Sequence, residues 1–163
     1  MKREFYEKLN KTVRNKGLEK VLRIVNNSVT LAVFIFYPTL LVLLALTDYE
    51  DIFKMVIVPL SAFIVLSIAR YFINAARPYE IMDIKPLASN IKKGKSFPSR
   101  HAFSIFMIAF CSLHFNIPLG VFLLVIAVLL AALRVACGVH YIKDVVAGAI
   151  FAVAAYLIGF ICF

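Results

Sequence analysis

Three short stretches of this 163-residue chain carry side chains suited to handling a phosphate group. In ARYFINAARP, Arg70 and Arg77 stand seven apart. On a helix that spacing puts them about two turns apart on nearly one face, and Pro78 predicts the helix end. A guanidinium binds two phosphate oxygens at once and stays charged at physiological pH. Arg77 alone is equally compatible with snorkelling to lipid headgroups, but Arg70 lies deeper in an apolar run, where an ionisable residue points to function. In SFPSRHAF, Pro98 and Ser99 predict the start of a helix with Ser99 near the N-cap, which leaves backbone N–H groups free for an anion. His101 then falls in the first turn, where it can give a proton to a leaving oxygen. In LRVACGVHYIKD, Arg134 closes one apolar run and Gly138 allows a turn. His140 and Asp144 are four apart there, on one face if a helix begins at that point. A carboxylate bonded to one ring nitrogen fixes the tautomer and leaves the other nitrogen free to attack; the same pair also suits a purely structural helix start.

Singly, each stretch has an ordinary explanation at a membrane interface. Jointly they supply the parts of phosphoryl transfer: cations for the equatorial oxygens, one histidine to attack and another to protonate the leaving group. Lys92, Lys93 and Lys95 precede the second stretch and read as outer contacts for an anionic headgroup. His114 has no such company and is read as structural.

The elements that position these residues are apolar. With 63% hydrophobic and 17% charged residues and a mean hydropathy of +0.91, the chain lacks the polar surface of a soluble globule. Runs at 29–46, 52–69, 102–115, 119–133 and 145–163 are almost uncharged. About 20 residues cross the hydrocarbon as a helix, and a helix satisfies its own backbone there. The expected fold is therefore all-α, a single polytopic bundle of about five spans. Because consecutive spans alternate direction, all three stretches fall on one face, together with an irregular active-site loop at 77–98. Residues 1–26 hold eight Lys or Arg and three Glu, with Phe5, Leu9 and Val13 at helical spacing. They suit an amphipathic helix in the interface, broken at Gly17, or a solvated basic tail.

The net charge of +9 sits at span ends and in one loop, which favours anionic lipid over nucleic acid as the partner. Cys111, Cys137 and Cys162 fit neither a zinc site nor a disulfide framework and read as small core residues. Gly148 and Ala152 suit close helix packing within or between chains; oligomeric state is not legible.

Arg70 with Arg77-Pro78, then Pro98-Ser99-Arg100-His101, then Arg134, His140 and Asp144 together resemble the three-part signature of the type 2 phosphatidic acid phosphatase superfamily. The resemblance implies a membrane lipid phosphatase that needs no metal or other cofactor. In it His140 is the nucleophile that forms a phosphohistidine, Asp144 its orienting partner and His101 the general acid. Arg70, Arg77, Ser99, Arg134 and the backbone N–H of Arg100 hold the phosphate. Three positions depart from the family: Arg70 stands where Lys is usual, Arg100 where Gly is usual, and Leu133 where Ser is usual. None of these removes the nucleophile or the acid.

Bacterial members of this kind act on lipid A 1-phosphate, undecaprenyl pyrophosphate or phosphatidylglycerophosphate, and the basic loop favours the first. The resemblance also implies a bacterial inner membrane with the site facing the periplasm. The basic N-terminal segment shares the site's face, so the positive-inside rule points the other way. Two further readings stay open, a lipid phosphotransferase and a protein that binds or transports anionic lipids without chemistry.

Overall fold

Long apolar runs can satisfy their backbone in a bilayer only as helices or closed barrels. In the computed structural model, which describes residues 2–15, 17–47, 49–82, 84–87 and 93–162, every regular element is helical. The chain forms α1 (Lys2–Asn15), α2 (Glu19–Leu46), α3 (Ile52–Ile73), the single turn α4 (Pro78–Ile81), α5 (Arg100–Phe115), α6 (Ile117–Ala136) and α7 (Ile142–Tyr156), which a π-helical turn, Leu157–Ile161, continues. Among the described residues four segments are long and apolar enough to cross a membrane: Glu19–Leu46, Ile52–Ile81, Ile117–Ala136 and Ile142–Ile161. The remaining apolar run, at 102–115, forms α5, which has 16 residues. At about 24 Å it is shorter than the roughly 30 Å of hydrocarbon, yet it runs from the site's end of the bundle to the opposite end. It is the central helix, packed against α3, α6 and α7. Phe103, Met107 and Cys111 of α5 meet Leu40 and Leu44 of α2, Met55 and Leu66 of α3 and Ala152 of α7 in the main core.

Two close approaches set the spacing around α5. A Cβ on Gly148 of α7 would lie 2.6 Å from the carbonyl oxygen of Ser99, and one on Gly120 of α6 would lie 2.2 Å from the Leu113 backbone. Of the two small residues expected to permit close packing, Gly148 does so within the chain and Ala152 is buried in the main core. At the end opposite the site, His114 Nε2 lies 3.0 Å from Asp51 Oδ2 and ties α5 to the start of α3. This hydrogen bond holds the Asp51 carboxyl below the usual range. His114 is structural, as expected, but not without a partner. Cys111 and Cys137 are buried, whereas Cys162 is exposed at the end of the last helix rather than in the core.

The N-terminal segment forms the expected helix, α1. Gly17, at φ +64°, breaks the helix, but α2 starts directly afterwards at Glu19, well before the apolar run at residue 29. The buried stripe of α1 is Tyr6, Asn10 and Val13, while Phe5 is 50% exposed. That stripe rests on protein. Tyr6 packs with Ile84, Ala102, Val135 and Val145, and Val13 with Leu87, Cys137 and Val139. The Tyr6 hydroxyl accepts the Ile142 N–H at 3.0 Å, and Asn10 Nδ2 donates to the Lys85 carbonyl at 3.2 Å. Helix α1 therefore straps the turn between α6 and α7.

Candidate active site

The site forms where the C-terminal ends of α3 and α6 meet the N-terminal ends of α5 and α7. Helix α3 stops at Ile73, four residues before Arg77, because Asn74 turns left-handed (φ 40°) and its N–H bonds the Arg70 carbonyl at 3.2 Å. Arg70 and Arg77 consequently do not share a helical face. Residues 74–77 run alongside the loop instead, with the Ser96 N–H donating to the Ala75 carbonyl at 2.8 Å. Both arginines remain buried, and both grip that loop. Arg70 Nη1 donates to the Pro98 carbonyl at 2.7 Å and the Ser96 carbonyl at 3.5 Å. Arg77 Nε donates to the Gly94 carbonyl at 3.1 Å. Glu80 Oε1 fastens the same segment, accepting the N–H groups of Arg77 at 2.9 Å and Gly94 at 2.8 Å.

Helix α5 starts as its sequence predicts. Ser99 is its N-cap, and its Oγ accepts the Ala102 N–H at 3.4 Å. Arg100 is the first helical residue, a position whose N–H has no intrahelical partner. The Arg100 side chain is exposed and turns toward α3, its guanidinium 5.8 Å from the centre of the Phe63 ring. His101, also exposed, faces a different way and lines a cleft with Asn26 and Arg134.

His140 precedes α7 rather than lying on it, so the helical-face argument for its pairing with Asp144 fails while the pairing itself holds. Gly138 (φ 70°) makes the turn, the His140 N–H reaches the Arg134 carbonyl at 3.4 Å, and Asp144 sits in the first turn of α7. His140 Nδ1 is 3.4 Å from Asp144 Oδ2, with His140 2% exposed and Asp144 fully buried. The same carboxylate oxygen accepts the Tyr141 N–H at 3.0 Å and the Ser96 hydroxyl at 2.5 Å. Among the described residues Asp144 Oδ1 has no partner. With Nδ1 turned to the carboxylate, Nε2 is the ring nitrogen left for chemistry. Burial pulls the imidazole from its ordinary 6.5 down to about 4, against the opposing effect of its hydrogen bond to the Asp144 carboxylate. The ring is therefore neutral near pH 7.

Arg134 is buried in the last turn of α6. Its Nη1 donates to Asn26 Oδ1 at 3.4 Å, and its Nε has no partner among the described residues. Arg70, Arg77, Ser99, Arg134, His140 and Asp144 thus gather at one end of the bundle, with the Arg100 backbone and His101 opening α5 beside them. Lys93 and Lys95 lie on the outside. Lys95 Nζ stacks 4.4 Å above the Tyr71 ring. Lys92 lies outside the described residues. Sequence reasoning missed Ser96, Asn26, Glu80 and Tyr6, all of which touch site residues or hold their turns. A buried Ser96 could have been suspected only from its place two residues before Pro98. Asn26 is an amide just ahead of an apolar run, the one local signal it carries.

Residues 51–163 match the family model described as the PAP2 superfamily. No curated protein matches the sequence. Solved structures share the fold, two of them as follows. Aquifex aeolicus LpxE superposes with a TM-score of 0.77 at 22% identity, over 96% of this chain and 92% of that one. The first transmembrane PAP2-type phosphatidylglycerolphosphate phosphatase from Bacillus subtilis superposes with a TM-score of 0.61 at 21% identity, over 95% and 90%.

Proposed function

Because the chain belongs to the PAP2 superfamily and is a multi-pass membrane phosphatase, we propose that it hydrolyses a phosphomonoester or pyrophosphate on a membrane lipid through a phosphohistidine at His140. The observation that carries this reading is the buried His140–Asp144 pair, with Nδ1 held 3.4 Å from the carboxylate. Nε2 attacks phosphorus, the bond from phosphorus to the leaving oxygen breaks, and His101 gives that oxygen a proton. Water then attacks the phosphohistidine with His101 as base, the N–P bond breaks, and inorganic phosphate leaves. Arg70, Arg77, Arg134, the Ser99 cap and the Arg100 N–H hold the phosphate oxygens where charge develops. Asp144 stabilises the positive charge on the attacked ring, and Ser96 holds Asp144. Charge neutralisation comes from guanidiniums, so the reaction needs no metal.

The favoured substrate is lipid A 1-phosphate. The exposed Lys93 and Lys95 suit a headgroup richer in anionic groups than phosphatidic acid, and the fold resembles Aquifex aeolicus LpxE. Undecaprenyl pyrophosphate and phosphatidylglycerophosphate are the alternatives, and the expected setting is a bacterial inner membrane with the site toward the periplasm. Purified protein assayed against a panel of these lipids with EDTA present should release inorganic phosphate from one of them, and His140→Gln should release none. Equal release by the variant overturns the role given to His140, and no release by the parent overturns the reading in favour of lipid binding or transport. Phosphate moved to an acceptor lipid, with little released to water, identifies a phosphotransferase.

A further inference from the structure

Helix α1 lies outside residues 51–163, the segment that matches the PAP2 superfamily, yet it covers the turn that carries His140. Its buried residues Tyr6, Asn10 and Val13 each meet a different part of that turn. Val13 packs with Cys137 and Val139. Asn10 lies beside Gly138, where an added Cβ would stand 3.5 Å from its Nδ2. Tyr6 meets the Tyr141 ring edge to face, with centres 5.4 Å apart, and its hydroxyl accepts the Ile142 N–H at 3.0 Å. We propose that Tyr6 is a positioning residue for the nucleophile: through Ile142 its hydroxyl sets the backbone that aims His140 at phosphorus, so that the site is complete only with α1 in place. The inference rests on the role proposed above for His140.

The backbone after His140 supplies the first reason. The Tyr141 N–H donates to Asp144 Oδ2 at 3.0 Å, the same oxygen that faces His140 Nδ1. The next N–H, that of Ile142, goes to Tyr6. The peptide joining His140 to Tyr141 is thus fixed by the orienting carboxylate, and the peptide joining Tyr141 to Ile142 is fixed by α1. The two planes share the Tyr141 Cα, so a rotation of the second carries the first with it. Such a swing draws the Tyr141 N–H off the carboxylate and turns His140 away from its line of attack. Misplacement of a reacting group by about 1 Å can cost on the order of 100-fold in rate.

The second reason is that Ile142 depends on a distant acceptor. It is the first residue of α7, and the N–H of such a residue has no partner inside its own helix. Tyr6 is itself well held for the task. It is 9% exposed and packs with Ala102 and Val145, near the starts of α5 and α7, the helices that present His101 and Asp144. The strap is also tied down on either side of the turn. Asn10 Nδ2 donates to the Lys85 carbonyl at 3.2 Å, and the Leu87 N–H donates to the Cys137 carbonyl at 3.1 Å. Tyr6 therefore couples a fixed helix to the one peptide that adjoins the His140–Asp144 pair.

The test uses the full-length protein in detergent, with dodecyl phosphate as substrate, and Tyr6→Phe, which keeps the packed ring and removes the acceptor. The kcat should fall about tenfold, within the range expected when a buried N–H loses its partner, with KM changed less than twofold. Replacing Tyr6 by p-aminophenylalanine keeps the shape with a poorer acceptor, and its kcat should fall between the two even if the phenylalanine variant does not fold. Amide exchange should quicken at least tenfold at Tyr141 and Ile142 and stay within twofold in α3. An unchanged kcat in a folded variant overturns the proposal, as does a raised KM at constant kcat. Exchange that quickens equally throughout the bundle overturns it too, because Tyr6 is then only structural support. If the parent releases no phosphate from dodecyl phosphate or from lipids, the phosphatase reading fails instead, and exchange at Tyr141 still decides whether Tyr6 sets the backbone beside His140.

Discussion

Replacing Ser96 with alanine removes a hydroxyl that touches only the orienting machinery. Ser96 is fully buried, so substrate cannot reach it. Its Oγ donates to Asp144 Oδ2 at 2.5 Å and lies 3.5 Å from His140 Nδ1. Hydrogen bonds to charged groups contribute roughly 1.5–3 kcal/mol, which at about 1.4 kcal/mol per tenfold corresponds to a roughly 10- to 150-fold change in rate. The lower end applies here, because the Tyr141 N–H, at 3.0 Å, still holds the same oxygen. The expected result for Ser96→Ala is therefore a kcat reduced about tenfold with KM nearly unchanged. Ser96→Cys, a weaker donor of similar shape, should fall between parent and alanine. Steady-state phosphate release, run beside thermal melts to confirm folding, gives both parameters. A kcat equal to the parent's, or a raised KM at constant kcat, would refute an orienting role and place Ser96 in binding or in nothing at all.

Two other outcomes follow from the same geometry. With its pKa drawn down to about 4, native His140 stays neutral from pH 7 to about 5, whereas the unfolded chain protonates near 6.5. In that window the unfolded state binds the extra proton, so this group's contribution to stability is full above about 6.5 and declines as pH falls toward 4. Imidazole NMR of the protein in detergent should show a ring that does not titrate near 6.5, and a midpoint there would contradict the burial argument. Gly148→Ala forces a Cβ to within 2.6 Å of the Ser99 carbonyl. Overpacking of this kind costs about 1–3 kcal/mol, so the melting temperature should drop. The rate should drop too, since the Ser99 N–H, which bonds the Asp144 carbonyl at 2.9 Å, moves with it.

What could be read from the sequence was whatever a short window carries. Apolar runs longer than a soluble strand, Gly138 before His140, and Ser99 ahead of an apolar helix each encode their local structure, and alternation of spans then brings the three stretches to one face. What could not be read was set by partners far along the chain. Ser96 meets Asp144 and Asn26 meets Arg134 only after the helices assemble. The loop carbonyls that Arg70 and Arg77 grip lie beyond the turn at Asn74, and nothing in ARYFINAARP marks that turn, since asparagine is acceptable inside a helix. For α1, periodicity identified an apolar side but not its neighbour. Its buried side holds Tyr6, Asn10 and Val13 rather than Phe5, and the Tyr6 hydroxyl holds the start of α7.

The central claim, that His140 takes the phosphoryl group, is tested most directly by rapid-quench trapping with a radiolabelled lipid phosphate. The expected adduct is stable to alkali and labile to acid, maps to the peptide containing His140, and forms at least as fast as phosphate is released. Turnover without any such adduct, or label on another residue, would contradict the account.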